Sequence, residues 1–515
     1  MNQNNISAAE LFQRVRELLM LPELEPQTRN KMMHDTLILC CHEGVKDTKQ
    51  AFGNLFSQVD YLCKARGIKV ADKIAIQTMR RHSNSQEPLS GEDLKYDARA
   101  LALFISAVFG VDVPHELNVL IPHTPRPYQK GLEINNRRIR CIVKNWDGDF
   151  IRVDIDQDAD EEEYLVQLKD EENHIDHTYL WDILKEGMQL NLLDCQVKQP
   201  IITPRLIVVE PDYLVDISSI ATCFTAFGHH PLLYLLNLMK PRANTQATLL
   251  GNFAGAALDD IINSHGKYQM NETVKTNFRE KALEFCTCPW FDPKKFYTDA
   301  SLQAFNLQQV VDILFPRTAS QAQMTALRGE SLYDRKKAIL EPSFVCEALG
   351  IQGRVDLMTT DCKLLVEQKS GRNMNIETHQ VDPGYHSYQL EPHYVQLLLY
   401  YGVLQHNFKL SNDRVNIRLL YSKYRPQDGL MVVAYYQKLF KEAIQYRNQL
   451  VAASFEIAKE GFEHALNEFT PEVLNVAGTQ DFFYNKYLKP QIEAITKPLH
   501  DLSPLEEAYF CRMMT

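Results

Sequence analysis

The feature that most constrains this chain is a short hairpin pattern with charged residues at fixed places. From Gly353 to Arg372 the chain reads Gly-Arg-Val-Asp-Leu-Met-Thr-Thr-Asp-Cys-Lys-Leu-Leu-Val-Glu-Gln-Lys-Ser-Gly-Arg, and two apolar runs within it have the length of buried strands. The first run carries Asp356, and the second ends in Glu367, Gln368 and Lys369. Because side chains alternate along a strand, Glu367 and Lys369 project from one face while Gln368 projects from the other. The pattern therefore predicts adjacent strands that hold two carboxylates and one ammonium on one face.

Such a pair of carboxylates suggests a site for a hard divalent cation. Mg²⁺ and Mn²⁺ take oxygen ligands, keep several waters and complete their shell with substrate phosphate. An ion of this kind can acidify a water molecule and stabilise the charge on a phosphate under attack. Lys369 would orient that water or offset the phosphate charge. The alternative is a surface hairpin with solvated charges, because short matches to Asp plus Glu-x-Lys are common by chance.

A second element extends the pattern. The segment Glu391-Pro-His-Tyr-Val-Gln-Leu-Leu-Leu-Tyr predicts a helix begun by proline, in which His393, Gln396 and Tyr400 recur at spacings of three and four. These three residues form one polar stripe on an otherwise apolar helix that can cover a sheet. The alternative is that Tyr400 is an ordinary core aromatic residue and Gln396 a satisfied surface amide.

Together, the motifs Gly-Arg-Val-Asp, Glu-x-Lys-x-Gly and Gln-x-x-x-Tyr resemble those of PD-(D/E)xK nucleases of the RecB type. Over roughly residues 205 to 460 the chain is similar to the nuclease half of the eukaryotic-type replication helicase-nuclease family. That resemblance implies metal-dependent cleavage of single-stranded DNA, ends or flaps by a polypeptide that also contains a helicase motor. From this resemblance we assign as catalytic residues Asp356, Glu367, Lys369, Gln396 and Tyr400. The assigned ligands of the Mg²⁺ or Mn²⁺ cofactor are Asp356, Glu367 and Gln368. The assigned DNA contacts are Arg354, Arg372 and His393.

One departure from the family pattern concerns a metal ligand. RecB-type enzymes usually place a metal-binding histidine a few residues after the glycine of the first motif, and here Gly255 stands at the corresponding place. Asp259 or Asp260, about one helical turn later, would be a substitute, although carboxylates on a helix surface are the plainer interpretation. His229 and His230 lie upstream and would reach the site only through the fold.

A second departure concerns iron. Many relatives hold an iron-sulfur cluster with four cysteines, because thiolates are the ligands that such clusters need. This chain has no cysteine between Cys362 and Cys511, and Cys286 and Cys288 alone cannot supply four ligands. We therefore expect no iron-sulfur cluster.

Composition places the chain among soluble intracellular proteins. The eleven cysteines are irregularly spaced and indicate reduced thiols, and no apolar run reaches the length of a membrane span. We expect a cytoplasmic protein, associated with the nucleoid if it is bacterial, and no membrane partner. The net charge of -11 argues against a general nucleic-acid coat but does not exclude a nuclease. Part of that charge comes from an acidic run at 154–163, which predicts a solvated loop.

Periodicity divides the 515 residues into three regions. Residues 1–128 predict a helical domain that ends in a proline-rich linker containing Pro127, and residues 129–209 predict a small β-barrel, for which the OB type is one candidate. Residues 210–515 predict a nuclease domain of the RecB type with a helical cap and a C-terminal helical extension. The expected class is an α/β nuclease core within an α+β chain. Since the chain has no ATP-binding loop and ends on an apolar helix face, we expect it to be truncated before a helicase motor.

Two other functions stay open at this point. The absent histidine favours a catalytically silent module that guides DNA for a helicase. The presence of Asp356, Glu367 and Lys369 argues against such a module, because degenerate nuclease folds need not retain all three. The acidic balance and the helical N-terminal region favour an interaction scaffold that binds no nucleic acid.

Overall fold

The structure, a computed structural model, combines helices and strands and confirms the expected α+β class. It describes residues 6–85, 88–126, 132–155, 163–225, 228–239, 244–264, 267–381, 387–410, 414–474, 482 and 484–515. The expected boundary between residues 128 and 129, the linker residue Pro127 and positions 156–162 of the acidic run lie outside the described residues. Among the described helices, none has the length and apolar character needed to cross a membrane.

The N-terminal region is a helical bundle with one short strand. Its elements are α1 (Ala8–Leu19), α2 (Pro26–Val45), β1 (Ala51–Phe52), α3 (Leu55–Ala65), α4 (Val70–His82), α5 (Gly91–Phe109) and α6 (His115–Asn118). Ser7 begins α1 with a capping box, because its hydroxyl and the side chain of Glu10 satisfy each other's backbone N–H groups. Helix α5 begins at the cap Ser90 and ends at Gly110, whose φ of 69° is the left-handed conformation that glycine adopts without strain.

A closed five-stranded barrel follows. In chain order the strands of this region are β2 (Asn136–Trp146), β3 (Phe150–Ile155), β4 (Tyr164–Gln167), β5 (Lys169–Asp170), β6 (Ile175–Asp176), β7 (Gln189–Lys198) and β8 (Ile201–Val209). The short β5 and β6 pair with each other and are not barrel strands. The barrel order is β2-β3-β4-β8-β7, so the last strand inserts beside β4 and pairs with it in parallel. Alternate residues of β2, such as Ile139, Cys141 and Val143, fill the interior.

The rest of the chain builds three sheets, one of them only two-stranded, and their covering helices. The elements up to the second sheet are β9 (Val215–Asp216), α7 (Ile217–Ala221), β10 (Phe224–Thr225), β11 (Gly228–His229), α8 (Leu232–Met239), α9 (Gln246–Asn263), α10 (Met270–Glu280), α11 (Ala282–Cys286), α12 (Pro293–Leu314), α13 (Ala319–Leu327), β12 (Ala338–Leu340), β13 (Ser343–Cys346) and β14 (Ile351–Arg354). They are followed by β15 (Leu357–Thr359), β16 (Leu364–Lys369), α14 (Met374–Thr378), α15 (Glu391–Phe408), β17 (Asn416–Tyr421), α16 (Pro426–Gly429), β18 (Leu430–Val432) and α17 (Gln437–Glu460).

The larger sheet has six strands in the order β1-β18-β17-β16-β15-β12, and β13-β14-β9 form a smaller one. Alternation along β16 gives it two buried faces: Leu365 packs in the cluster of α15 and α17, whereas Leu364 and Val366 pack in the cluster of α9 and α12. The edge strand β1 comes from the N-terminal region and pairs in parallel with β18. The helical region therefore completes the sheet of the region that follows the barrel.

Hydrogen bonds from helix α17 hold the end of the barrel against the smaller sheet. Arg447 is fully buried and donates to the carbonyls of Val209, Glu210, Tyr213 and Gly350, which lie at the end of the barrel and around the smaller sheet. Burial is the main reason why the pKa of Arg447 is lowered to about 9.

Four further helices end the described chain. They are α18 (Glu463–Glu468), α19 (Pro471–Leu474), α20 (Lys489–His500) and α21 (Pro504–Met514), and they bury a separate apolar cluster with α8.

Candidate active site

The two acidic residues of the hairpin meet where the chain passes from one sheet to the other. Strand β14 belongs to the smaller sheet and β15 to the larger, and Asp356 lies in the bend directly before β15. Since Leu357 pairs with Val366 in antiparallel register, the next position brings Asp356 opposite Glu367. The Asp356 carboxylate accepts the backbone N–H of Gln368 at 2.6 Å. The register therefore brings the two carboxylates together, although Asp356 lies in the bend before β15 and not within a strand as expected.

Glu367 is a buried acid with one unsatisfied oxygen. Its side chain is 2 % exposed, and Oε1 accepts from Lys369 Nζ at 2.7 Å. Within the described part of the chain, Oε2 has no hydrogen-bond partner. Burial first, and then the charge of Asp356, raise the pKa of Glu367 to about 8 despite the nearby ammonium. A buried carboxylate beside a second carboxylate is costly unless a further cation compensates it.

Helix α15 supplies the amide that completes this cluster. Lys369 Nζ donates to Gln396 Oε1 at 2.8 Å as well as to Glu367. One turn along, the Tyr400 hydroxyl donates to the carbonyl of Arg354 at 2.6 Å. A Cβ atom at Gly353 would stand 3.0 Å from the Tyr400 ring, so a larger residue there would require the ring or the helix to shift by a few tenths of an ångström. The Gly-Arg-Val-Asp and Gln-x-x-x-Tyr motifs are thus in direct contact.

Gln368 lies on the opposite face of β16, as the alternation of the strand requires. Its amide donates to Ser422 Oγ at 3.3 Å, and Ser422 also bonds to Gln303 of α12. The Gln303 amide donates to the carbonyl of Ser370 at 3.0 Å. The side chain of Gln368 is therefore directed away from Glu367, and this polar layer holds the end of β16 in place.

Two further carboxylates lie near the site: Asp259, which the sequence offered together with Asp260 as a substitute for the absent histidine, and Glu341, which it did not offer as a ligand. Asp259 of α9 has its pKa raised to about 6 by burial and by the charges of Glu341, Asp260 and Asp356. Glu341 has a left-handed backbone (φ 48°) and donates its N–H to the Asp356 carbonyl at 3.0 Å. Asp260 is exposed and instead accepts from Thr273 Oγ1 at 2.5 Å. The geometry thus favours Asp259 over Asp260, and its only sequence signal was the spacing from Gly255.

The position of the absent histidine has room for a side chain. Gly255 lies in α9, four residues before Asp259 and therefore on the same helix face. A Cβ atom at Gly255 would meet no heavy atom within 4 Å.

The three residues assigned to DNA contacts differ in their surroundings. Arg354 is exposed and pairs with Glu341 at 3.0 Å, and Arg372 is exposed and pairs with Glu377. His393 is half-buried, and its Nδ1 lies 3.1 Å from the Tyr421 hydroxyl. Burial, together with the charge of Lys369, lowers the pKa of His393 to about 3, so its ring is neutral. Any phosphate contact by His393 would be a hydrogen bond without charge assistance.

The donor set fits a hard cation. Asp356 and Glu367 offer carboxylate oxygens, one of them unsatisfied and buried, and Mg²⁺ typically needs only one or two protein carboxylates besides water and phosphate. No cluster of three His, Cys, Asp or Glu side chains suited to a metal ion is found in the described ranges.

No protein-family model matches the chain, and no curated protein does.

The described hydrogen bonds of the two upstream histidines, His229 and His230, go to groups outside this cluster. His229 bonds through Nε2 to Glu391 at 2.9 Å and through Nδ1 to Glu442 at 2.6 Å. Burial alone would lower the pKa of His229, but the bonds to the two carboxylates outweigh it and raise the pKa to about 9. The protonated ring therefore ties the first residue of α15 to α17.

This arrangement predicts a stability change with pH. A pKa raised from 6.5 to about 9 means that His229 stabilises the fold fully below pH 6.5 and loses that contribution as the pH rises through 9. We expect the stability difference between the native protein and His229→Gln to shrink by on the order of 1–2 kcal/mol between pH 6.5 and 9.5, allowing for screening by solvent. Urea unfolding at the two pH values measures it.

The neighbouring His230 provides the control. Its pKa is lowered by burial, so the ring is neutral across this range. For His230→Gln the stability difference should be the same at both pH values, and a constant difference for His229→Gln would contradict the ion-pair interpretation.

Proposed function

We propose that the protein is a Mg²⁺- or Mn²⁺-dependent DNase of the PD-(D/E)xK, RecB-like type that hydrolyses phosphodiester bonds in single-stranded DNA, ends or flaps. The observation that carries the proposal is the buried, unsatisfied Glu367 carboxylate, which lies beside Asp356 and is bridged by Lys369 to Gln396. Within this proposal the partners are DNA and, from the similarity to helicase-nucleases, a helicase motor in replication or repair.

Asp356 and Glu367 would hold the cation, and the chemistry that it supplies is Lewis-acid stabilisation of the phosphate and a more acidic attacking water. The bond from Gln368 N–H fixes one oxygen of Asp356 and leaves the other for coordination. With its raised pKa, Glu367 holds a proton near neutral pH, and that proton limits the repulsion between the two carboxylates. A bound cation would replace the proton and compensate both negative charges.

Lys369 is placed to assist the reaction directly. Its ammonium has three donors, and the bonds to Glu367 and Gln396 use two of them. The third is available to orient the attacking water or to stabilise charge on the phosphate. Gln396 and Tyr400 are positioning residues in this scheme, because they hold the ammonium and the Arg354 backbone.

End-labelled single-stranded DNA tests the proposal. Degradation should require Mg²⁺ or Mn²⁺ and stop in EDTA, and Glu367→Gln, which cannot ionise, should be inactive while it keeps its fold by circular dichroism. A protein that cuts with equal rate in EDTA, or a fully active Glu367→Gln variant, would refute it.

The second candidate is a catalytically silent DNA-guiding module. The observation in its favour is that the described residues contain no cluster of three metal-binding side chains. Calorimetry decides between the two, because a silent module would bind the oligonucleotide but take up no Mn²⁺.

The pair Asp259 and Asp260 provides a graded test of the cation site. Asp259→Asn removes a charge that faces Glu341 and Asp356, so the metal-free protein should become more stable while Mn²⁺ affinity falls about 3- to 10-fold, as expected for the loss of about 1 kcal/mol of charge attraction. Thermal unfolding in EDTA and Mn²⁺ calorimetry measure the two effects. Asp260→Asn, which lies next to it and bonds to Thr273, is the matched control and should leave Mn²⁺ affinity unchanged.

A further inference from the structure

A large cavity lies away from the site, where three parts of the molecule meet. It has a volume of about 1280 Å³, and its walls come from α4 and α5, from the barrel and its preceding segment, and from the start of α17. None of the residues of the candidate active site lines it. We call it the basic cavity, after the cations Arg81, Arg99, Arg126, Arg205 and Lys441 in its wall.

Two arginines of the wall and the imidazole of His82 each have a carboxylate partner. Arg99 pairs with Asp72 at 3.3 Å, Arg126 pairs with Asp93, and His82 lies 2.8 Å from the buried Asp97. Glu172 and His174 add one acidic group and one imidazole.

Three cations of the wall lack such compensation. Arg81 bonds to the hydroxyl of Thr78 at 2.9 Å, and Arg205 bonds to the carbonyl of Leu132 at 3.2 Å. In the ranges that the structure describes, no carboxylate pairs with Arg81, Arg205 or Lys441 within 4 Å.

Arg205 and Lys441 also repel each other. Burial first, and then the charge of Arg205, lower the pKa of Lys441. They come from β8 and α17, so the junction of barrel and sheet places two half-buried like charges together. Such an arrangement is costly by itself, and an anion between the two groups would relieve it. The cost is notable in a chain whose net charge is -11.

We propose that the basic cavity binds the phosphates of a single-stranded nucleic acid. Its volume exceeds the 300–1,000 Å³ that is usual for small-ligand sites, which favours an oligomeric ligand. Among the described lining residues, Tyr96 is the sole Phe, Tyr or Trp. Binding therefore rests on phosphate charge rather than on base stacking and is independent of sequence.

The surface differs from the one that OB barrels commonly use. Those barrels bind strands with their second and third strands and adjoining loops. Here the wall uses Arg205 on the last strand and residues of the connection that contains β5 and β6. The nucleic-acid identity of the ligand rests on the proposed nuclease function, whereas the binding of an anion does not.

The test measures fluorescence anisotropy of a labelled 30-nucleotide oligo-dT in EDTA, with the full chain carrying Asp356→Asn to prevent cleavage. Adding Arg205→Gln and Lys441→Gln should weaken binding about 10-fold at low salt. The slope of log affinity against log salt should fall by about 1.4, which is two phosphate contacts at about 0.7 each. Lys438→Gln, an exposed lysine on the same helix, is the control and should change neither quantity.

Arg81→Gln repeats the test at an exposed side chain whose loss disturbs no buried packing. It should weaken binding about 3-fold. Unchanged oligonucleotide affinity in both the double variant and Arg81→Gln would overturn the proposal. A double variant that loses ATP binding but keeps its oligonucleotide affinity would also overturn the proposal, because the cavity would then be a site for a free nucleotide.

The outcomes separate this proposal from the nuclease assignment. A native protein that degrades DNA, together with a double variant and an Arg81→Gln variant that both bind as well as their parent, would overturn the basic-cavity proposal alone. A native protein that cuts nothing, together with weakened binding in the double variant, would overturn the nuclease alone.

Discussion

Lys369→Met is expected to lower the rate of single-stranded DNA cleavage by about 10²–10⁴-fold, the range for loss of a positioned proton-transfer or charge-stabilising group. The substitution removes the ammonium that bonds to Glu367 and Gln396 but keeps an unbranched side chain of similar length. Without that ammonium the pKa of Glu367 should rise further, so the remaining activity should shift to higher pH. Single-turnover cleavage of labelled DNA across pH 6.5 to 9 measures both effects.

Lys363→Met is the matched control, because Lys363 is an exposed lysine on the same hairpin. It should cleave at the rate of the native protein. If Lys369→Met stayed within threefold of that rate, Lys369 would be a structural partner of Glu367 without a role in the reaction.

Arg447→Met is expected to lower the free energy of unfolding by about 3–5 kcal/mol, the range for removing one partner of a buried charged network. Its guanidinium donates to four carbonyls at the junction of the barrel and the sheet, and methionine would leave them without donors in a buried setting. A Cβ atom at Gly350 would collide with this guanidinium, so the pocket is shaped for it. Urea unfolding measures the loss, and hydrogen exchange should locate it in β8 and the segment that follows it.

The control for this substitution is Lys438→Met, an exposed position on the same helix, which should stay within about 0.5 kcal/mol of the native protein. An equal urea midpoint for Arg447→Met and Lys438→Met would show that the Arg447 hydrogen bonds do not stabilise the attachment of the barrel, which also includes the bonds of Asn448 to Val209 and Ile207.

The hairpin and the barrel strands could be predicted from the sequence, because they follow from patterns over a few neighbouring residues. Alternation along a strand requires Glu367 and Lys369 to share a face and Gln368 to leave it, and the structure has this arrangement. The spacing of Gln396 and Tyr400 placed both on one helix stripe, and the same spacing sets their contacts with Lys369 and Arg354. The alternating runs of the barrel likewise became its strands.

Other features depend on contacts between distant segments. The pairing of β1 with β18 joins residues about 380 positions apart, and no periodicity near Ala51 predicts which edge it will extend. The distinction between Asp259 and Asp260 depends on how α9 is rotated over the sheet.

By itself the sequence determined which side chains share a strand face or a helix stripe, because those relations follow from backbone geometry over a few residues. Only the tertiary structure decided that Glu367 would be buried with one oxygen unsatisfied, that Arg447 would join the barrel to the sheet, and that Arg205 and Lys441 would line one cavity. Burial and charge proximity arise from packing between segments far apart in the chain, and local patterns do not contain that information.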